Sequence, residues 1–240
     1  MLAGPNPSCQ ILATDVLIGV SQHDCSLICS YMIEAKTEPI ENQLLATIID
    51  QVAHVGTDIG LRWQLSALFT KLLDTVSPIG LAVPNDEFLN FFYPDYALRL
   101  LHPLVELDKR KGDLDFTQKE ADLYYFCCSR LRSFIAQHKY RIKYLLFRSF
   151  VIHNVLLLLQ CQRHKFLRLA AIGVIRAMVG TGDDFYFRFL IKQSLLKPLL
   201  MEAISLGETN SAVSAALVDL FYFIRDVCML FWCQCGKLCA

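Results

Sequence analysis

Residues 138–225 carry apolar side chains at steps of three and four positions, which is the spacing of one face of an α-helix. One such stripe consists of Phe166, Leu169, Ala170, Gly173, Val174 and Ala177. Each helix of this kind is amphipathic but too small to bury its own stripe, so the helices must stack on one another. The pattern predicts an all-α fold, specifically an armadillo/HEAT-like α-solenoid of stacked helix pairs.

The first part of the chain shows the same spacing. We expect helices over residues 9–22, 25–35, 40–55, 59–76, 87–93, 96–106 and 117–137, with Pro94 ending or kinking the fifth and a kink or division near Pro103 in the sixth. We also expect a connector at 77–85 and a charged loop over 107–116 without an apolar anchor before Phe116. The helix pairs recur at roughly the 40-residue period of armadillo and HEAT repeats. The sequence therefore predicts one armadillo-like repeat region over residues 1–226, as a fragment of a longer architecture, and a divergent cysteine-rich apolar tail over 227–240.

Composition bears on the location of the chain and on membrane contact. Hydrophobic residues make up 54% of the chain and charged residues 19%, which predicts that one or both ends of the solenoid lack a polar cap. The N-terminal residues have no basic leader, and Asp15 interrupts their apolar run, so no secretory route is expected. Arg148, His153 and Asn154 interrupt the leucine-rich run at 145–161, which favours a buried helix hairpin over a membrane span. We expect no membrane partner.

The ten cysteines are expected to be reduced thiols, most of them small core residues. A zinc site is the alternative for the group at the end of the chain: Cys228, Cys233, Cys235 and Cys239. None of these cysteines is separated from the next by two residues, which is the spacing of paired ligands in structural zinc sites. We expect neither a metal nor a cofactor.

Residues that would carry catalysis are scattered. None of the six histidines forms a metal-binding pair or stands beside a nucleophile in a recognisable motif. Gly180 and Gly182 form a turn that is not followed by the Lys-Ser or Lys-Thr of a phosphate-binding loop, so the turn is expected to end a helix. We predict that the chain is not an enzyme; a site assembled in space is the alternative.

Charge is distributed unevenly along the chain. The formal net charge is zero, yet no Asp or Glu occurs between Asp122 and Asp183. The basic residues of this interval are Arg130, Arg132, Lys139, Arg141, Lys143, Arg148, Arg163, Lys165, Arg168 and Arg176. They form either the solvated outer faces of several helices or a docking surface for an acidic protein segment or phosphopeptide.

Nucleic acid is a third, less favoured partner, because Tyr140 and Tyr144 interleave with the basic residues but the chain is neutral overall and has no nucleic-acid motif. Arg188 and Lys192 are further candidates for exposed contacts. The predicted partner-binding residues are Arg130, Arg132, Lys139, Arg141, Lys143, Arg148, Arg163, Lys165, Arg168, Arg188 and Lys192.

Two groups of residues resemble a known family. The sequence EFLNFFY occupies residues 87–93, and a longer ordered series begins with His138, Tyr140, Ile142 and Lys143. The series continues through His164, Phe166, Leu167, Leu169, Ala171, Arg176, Gly180, Asp183, Phe185, Tyr186, Arg188, Lys192, Leu195, Pro198, Leu220, Phe221, Phe223, Ile224 and Arg225. In both, the chain resembles the central armadillo-like region of regulatory subunit 3 of serine/threonine protein phosphatase 4, the SMEK or falafel family.

This resemblance implies a non-catalytic scaffold that joins the phosphatase 4 catalytic subunit and a companion regulatory subunit to phosphoprotein substrates. It also implies work in the nucleus and cytoplasm, including the DNA-damage response, with any metal ions held by the catalytic subunit. The chain shows no counterpart of the family's N-terminal motif-reading domain or of its acidic tail, and the sequence after Asp226 departs from the family pattern. The alternative to the scaffold is a nucleic-acid-binding solenoid that uses residues 123–182.

Overall fold

The computed structural model describes residues 6–40, 43–73, 86–110, 112, 114–207 and 211–236, without the side chains of Pro7, Lys139, Cys228 and 230–236. Within these ranges every regular element is a helix, which confirms the predicted all-α class. The α-helices are α1 (Pro7–His23), α2 (Cys25–Glu34), α3 (Leu44–Ala53), α4 (Ile59–Leu73), α5 (Asp86–Asp95), α6 (Ala97–Leu100), α7 (His102–Val105), α8 (Gln118–Gln137), α9 (Lys139–Arg148), α10 (Val151–Leu157), α11 (Lys165–Gly180), α12 (Asp184–Lys192), α13 (Leu196–Leu206) and α14 (Ala212–Gly236). Short 3-10 helices lie at Ala35–Thr37, Leu107–Arg110 and Leu158–Gln160.

The chain divides into two compact units, the first comprising Met1–Pro103 and Gln118–Cys127. In this unit α1 packs on α2 and α4, and α3 packs on α4 and α6, so each of them contacts the next helix in sequence and also a helix two or more elements away. Leu45, Ile48, Ile49 and Val52 are fully buried along one face of α3. The apolar stripe thus becomes core, as in an α-solenoid.

Arg62 links two helices of the first unit. Its side chain extends from α4, is buried, and donates from Nε to the carbonyl of Val52 at 3.2 Å and from Nη2 to the carbonyl of His54 at 2.8 Å. The last carbonyls of a helix have no intrahelical donor, and α3 ends at Ala53. Arg62 therefore caps the C-terminus of α3.

The second unit comprises Leu104–Thr117 and Cys128–Ala240 and is organised around α11. α11 packs on α14, α10, α12 and the 3-10 helix Leu158–Gln160. Because several elements surround it, its buried set is wider than the predicted stripe. Ala170 and Val174 are buried as predicted, whereas Phe166, Leu169, Gly173 and Ala177 are only half-buried.

Buried polar side chains of the second unit have defined partners. Asn154 donates from Nδ2 to the carbonyls of Leu104 and Val105, both at 2.9 Å, beside the end of α7. The Nε2 atom of His164 lies 2.8 Å from the carbonyl of Phe116. Each side chain thus satisfies a backbone carbonyl of the core.

Several helix boundaries differ from the sequence-based expectation. α3 begins at Leu44 and not at residue 40, and α5 continues through Pro94 to Asp95 and does not end at residue 93. The division of the helix over 96–106 was predicted near Pro103, and the structure places it at Leu101, between α6 and α7. The expectation of no apolar anchor before Phe116 was wrong, because Leu107 is 1% exposed. The connector at 77–85 lies outside the described residues, and the division into a repeat region (1–226) and a tail (227–240) stays a prediction.

No single helix of the described residues is long and apolar enough to cross a membrane. Two bent pairs reach the required length and composition together: Ser8–His23 with Cys25–Thr37, bent by 115°, and Tyr140–Arg148 with Val151–Gln160, bent by 73°.

Candidate functional site

Tertiary ion pairs neutralise part of the basic interval within the second unit. Lys143 pairs with Asp183, Arg163 Nη1 lies 3.1 Å from a carboxylate oxygen of Asp115, and Arg176 pairs with Asp219. Each of these acidic partners lies outside the interval in sequence but contacts it in space. The charge separation along the chain therefore does not translate into one continuous basic surface.

Arg168 occupies the interior. It is 4% exposed and pairs with Glu202 of α13, while its Nε has no hydrogen-bond partner among the described residues. Arg188, the candidate on α12, pairs with Asp184 one turn earlier. These pairs account for two more of the predicted partner-binding side chains.

The remaining candidates fall into two groups. Arg130 is half-buried, Arg141 lies over the ring of Tyr140 at 4.8 Å, and the side chain of Lys139 is outside the described part of the structure. The exposed candidates with no ion pair to a described residue are Arg132, Arg148, Lys165 and Lys192. Partner binding by the predicted residues stays a prediction, and these four are its exposed candidates without an ion pair among the described side chains.

A cavity of about 550 Å³ lies beside the Lys143–Asp183 pair in the second unit. It is lined by Ile135, Ala136, Lys143, Ala177, Gly180, Thr181, Asp183 and Tyr186. The turn that follows α11 shapes one wall, and Gly182 in this turn has φ +63°, a conformation that favours glycine. The turn ends a helix, as the sequence predicted.

Asp183 has two roles at this cavity. Its carboxylate caps α12 by accepting a hydrogen bond from the Phe185 N–H at 2.9 Å, and it also binds Lys143. The Lys143 hydrogen bond is the largest cause of a lowered pKa for Asp183. The Lys143 Nζ atom also lies 5.4 Å from the ring centroid of Phe185 and 5.8 Å from that of Tyr186.

Tyr186 is buried to 1% exposure, and its hydroxyl has no hydrogen-bond partner among the described residues. Burial, and then the charge of Asp183, raise the pKa of this phenol, which keeps it neutral. A neutral phenol at this depth is suited to packing and binding, since it is not poised to give up its proton near neutral pH.

Sequence reasoning found some of these features and missed others. Helical spacing predicts that Phe91, Phe92, Phe185 and Tyr186 are core residues. Phe91, Phe92 and Tyr186 are buried as predicted, whereas Phe185 is only half-buried. The partners of Lys143 and Arg168 were not predicted, because the acids lie 40 and 34 positions away in sequence.

Among the described residues no group of three or more His, Cys, Asp or Glu side chains could hold a metal ion. The cysteines of the zinc alternative, Cys228, Cys233, Cys235 and Cys239, lie outside the described side chains, so the structure leaves that alternative untested.

Comparisons with known proteins identify relatives. Residues 1–230 match the family described as Phosphatase 4 regulatory subunit 3. Serine/threonine-protein phosphatase 4 regulatory subunit 3 of Drosophila melanogaster is 25% identical over 231 residues, which cover 90% of this chain and 22% of the relative. Protein PPP4R3C1 of Mus musculus is 23% identical over 228 residues, which cover 90% of this chain and 28% of the relative. The chain thus spans less than a third of the length of these relatives, and no solved structure matches it.

Proposed function

The chain belongs to the phosphatase 4 regulatory subunit 3 family, and we propose that it is a non-catalytic scaffold for the phosphatase 4 catalytic subunit. The match over residues 1–230 is the observation that carries this proposal. A scaffold acts by positioning: binding enzyme and substrate together raises their effective concentration without chemistry by the scaffold itself. The proposed assembly also contains a companion regulatory subunit and phosphoprotein substrates, in the nucleus and cytoplasm, where it serves the DNA-damage response.

Three exposed cations of the second unit are the proposed contacts for the catalytic subunit. Arg132, Lys165 and Lys192 are exposed and have no ion pair with a described residue, so partner binding removes no internal pair. Lys143 and Arg168 are poor choices for the same role, because charge reversal there would disrupt the pairs with Asp183 and Glu202. A test that reversed those two charges would therefore measure folding rather than association.

Co-elution in size-exclusion chromatography at moderate salt tests the scaffold. The purified chain is mixed with the phosphatase 4 catalytic subunit and its companion regulatory subunit. We expect a shared peak that is lost in the triple variant Arg132→Glu, Lys165→Glu, Lys192→Glu. The matched control reverses three exposed lysines of the first unit, Lys36→Glu, Lys71→Glu and Lys119→Glu, and should keep the peak.

The remaining outcomes separate the scaffold from its contact surface. A shared peak that survives the triple reversal keeps the scaffold and rejects these three contacts. A folded chain that shares no peak with either subunit rejects the scaffold. The nucleic-acid alternative is less favoured, because acidic side chains of the chain itself neutralise four cations that could otherwise bind phosphates. These cations are Lys143, Arg163, Arg168 and Arg176.

A further inference from the structure

The outward face of α9 is aromatic where a surface helix is normally polar. Tyr140, Tyr144 and Phe147 stand at positions i, i+4 and i+7, so they share one face, and they are 54%, 66% and 66% exposed. The opposite side of the helix is anchored in the second unit, since Ile142 and Leu146 are fully buried. α9 is therefore fixed in orientation and exposes three large rings together.

Contiguous exposed apolar side chains of this size mark interaction surfaces. Phe150, two residues after the C-terminus of α9, is also exposed, and its ring centroid lies 5.5 Å from that of His153. Aromatic side chains bury a large area and lose little conformational entropy, which makes them frequent anchors at interfaces. We call Tyr140, Tyr144, Phe147 and Phe150 the α9 face.

Positive charge borders the α9 face. The Arg141 guanidinium lies 4.8 Å from the centroid of the Tyr140 ring, at one end of the row. Arg148, one turn after Tyr144, is exposed and has no ion pair with a described residue. No Asp or Glu occurs between Asp122 and Asp183, so α9, α10 and α11 contribute no carboxylate that could pair with Arg148.

We propose that the α9 face binds an acidic protein segment that carries apolar side chains between its carboxylates. The apolar side chains would pack on Tyr144 and Phe147, and a carboxylate would take the two-pronged hydrogen bond that a guanidinium such as Arg148 offers. Tyr and Arg are also the residue types over-represented among the side chains that dominate binding energy at interfaces. This inference does not depend on binding of the phosphatase.

Charge distinguishes this partner from two others. A symmetric contact between two copies through the α9 face would place Arg148 and Arg141 of one copy against the same cations of the other. Single-stranded nucleic acid would supply many phosphates, but the chain has zero formal net charge and four cations of the interval are held in ion pairs. One unpaired guanidinium, that of Arg148, beside a row of rings matches a few carboxylates better than a phosphate backbone.

Fluorescence anisotropy with a labelled peptide tests the proposal. The probe is a synthetic peptide in which glutamates alternate with leucine and phenylalanine at helical spacing, and the comparison peptide has lysine in place of each glutamate. We expect the acidic peptide to bind and the basic one not to. Tyr144→Ala together with Phe147→Ala should weaken binding by at least about tenfold, since each removes an exposed anchor.

Controls address folding and non-specific adhesion. Leu12→Ala together with Val16→Ala removes two exposed apolar side chains from α1 in the first unit and should leave binding unchanged. Arg148→Glu should weaken binding and reduce its salt dependence. Circular dichroism establishes that each variant is folded before it is compared.

Four results would overturn the inference. The first is that the folded wild-type chain fails to bind the acidic peptide, and the second is equal binding by the wild type and the Tyr144→Ala, Phe147→Ala variant. The third is that the wild-type chain binds a thymidine oligonucleotide, the Tyr144→Ala, Phe147→Ala variant does not, and the acidic peptide does not displace the oligonucleotide. That result would assign the face to nucleic acid. The fourth is a dimer in sedimentation that dissociates in this variant, which would assign it to a second copy.

Discussion

Arg168 of α11 and Glu202 of α13 form an ion pair in which the arginine side chain is 5% exposed and the glutamate side chain 15% exposed. Removal of one partner from such a pair leaves the other charge buried without compensation. We expect Glu202→Ala to lower the free energy of unfolding by about 3–5 kcal/mol, measured by urea denaturation.

Arg188 and Asp184 supply the control for that substitution. Both side chains of this pair are well exposed, at 77% and 63%, so Asp184→Ala should change the free energy of unfolding by about 1 kcal/mol or less. Equal small losses in the two variants would show that the Arg168 charge is not isolated by burial.

Lys143 links stability to pH through Asp183. The Lys143 hydrogen bond lowers the pKa of Asp183 in the folded state, so the pair stabilises the protein above the pKa of an unfolded aspartate, about 4. This contribution is lost as pH falls from about 4 through the folded-state pKa. We expect Lys143→Met to lower the midpoint of urea denaturation at pH 7 and to reduce the difference between the midpoints at pH 7 and pH 3. Lys192→Met, an exposed lysine without a described ion pair, should leave that difference unchanged.

Cys25 is expected to be the reactive thiol of the first unit. The pKa of Cys25 is lowered to about 7, because the Cys29 side chain hydrogen-bonds to it and Lys71 adds positive charge. Alkylation by iodoacetamide, followed by mass spectrometry in a Cys9→Ser background, should be half-maximal near pH 7. Cys29→Ala removes the hydrogen-bond partner and should move the midpoint toward the ordinary value of 9.0. A midpoint that does not move would rule out Cys29 as the cause.

Arg62 holds the end of α3 through two carbonyls. Arg62→Met keeps the apolar stem but leaves the carbonyls of Val52 and His54 without this donor. We expect the free energy of unfolding to fall by about 1–3 kcal/mol and amide hydrogen exchange to become faster in the last turn of α3. Lys71→Met on the exposed side of the same helix should stay within about 0.5 kcal/mol of the wild type.

Local periodicity predicted the helices well, because the positions of α1, α2 and α4 depend on spacing and breakers within each segment. It could not assign the outward face of α9. Two sets of apolar residues in α9 occur at helical spacing: the buried set Ile142, Leu145 and Leu146, and the exposed set Tyr140, Tyr144 and Phe147. The spacing alone therefore indicates either face as the buried one.

The charge pattern was similarly ambiguous. Only folding brings Asp115, Asp183, Glu202 and Asp219 to the basic residues, and sequence position carries no information about contacts made between different helices. The residues that remain available to a partner are therefore defined by the fold and not by composition.

The cap that Arg62 forms on α3 also sets how this chain can be taken apart and reused. Separation of α3 from α4 would leave the carbonyls of Val52 and His54 without this donor. It would also leave the Arg62 guanidinium without these acceptors. In a chimera or a designed repeat array, an exchange of α3 or α4 alone would lose this cap, so the two helices should be exchanged together.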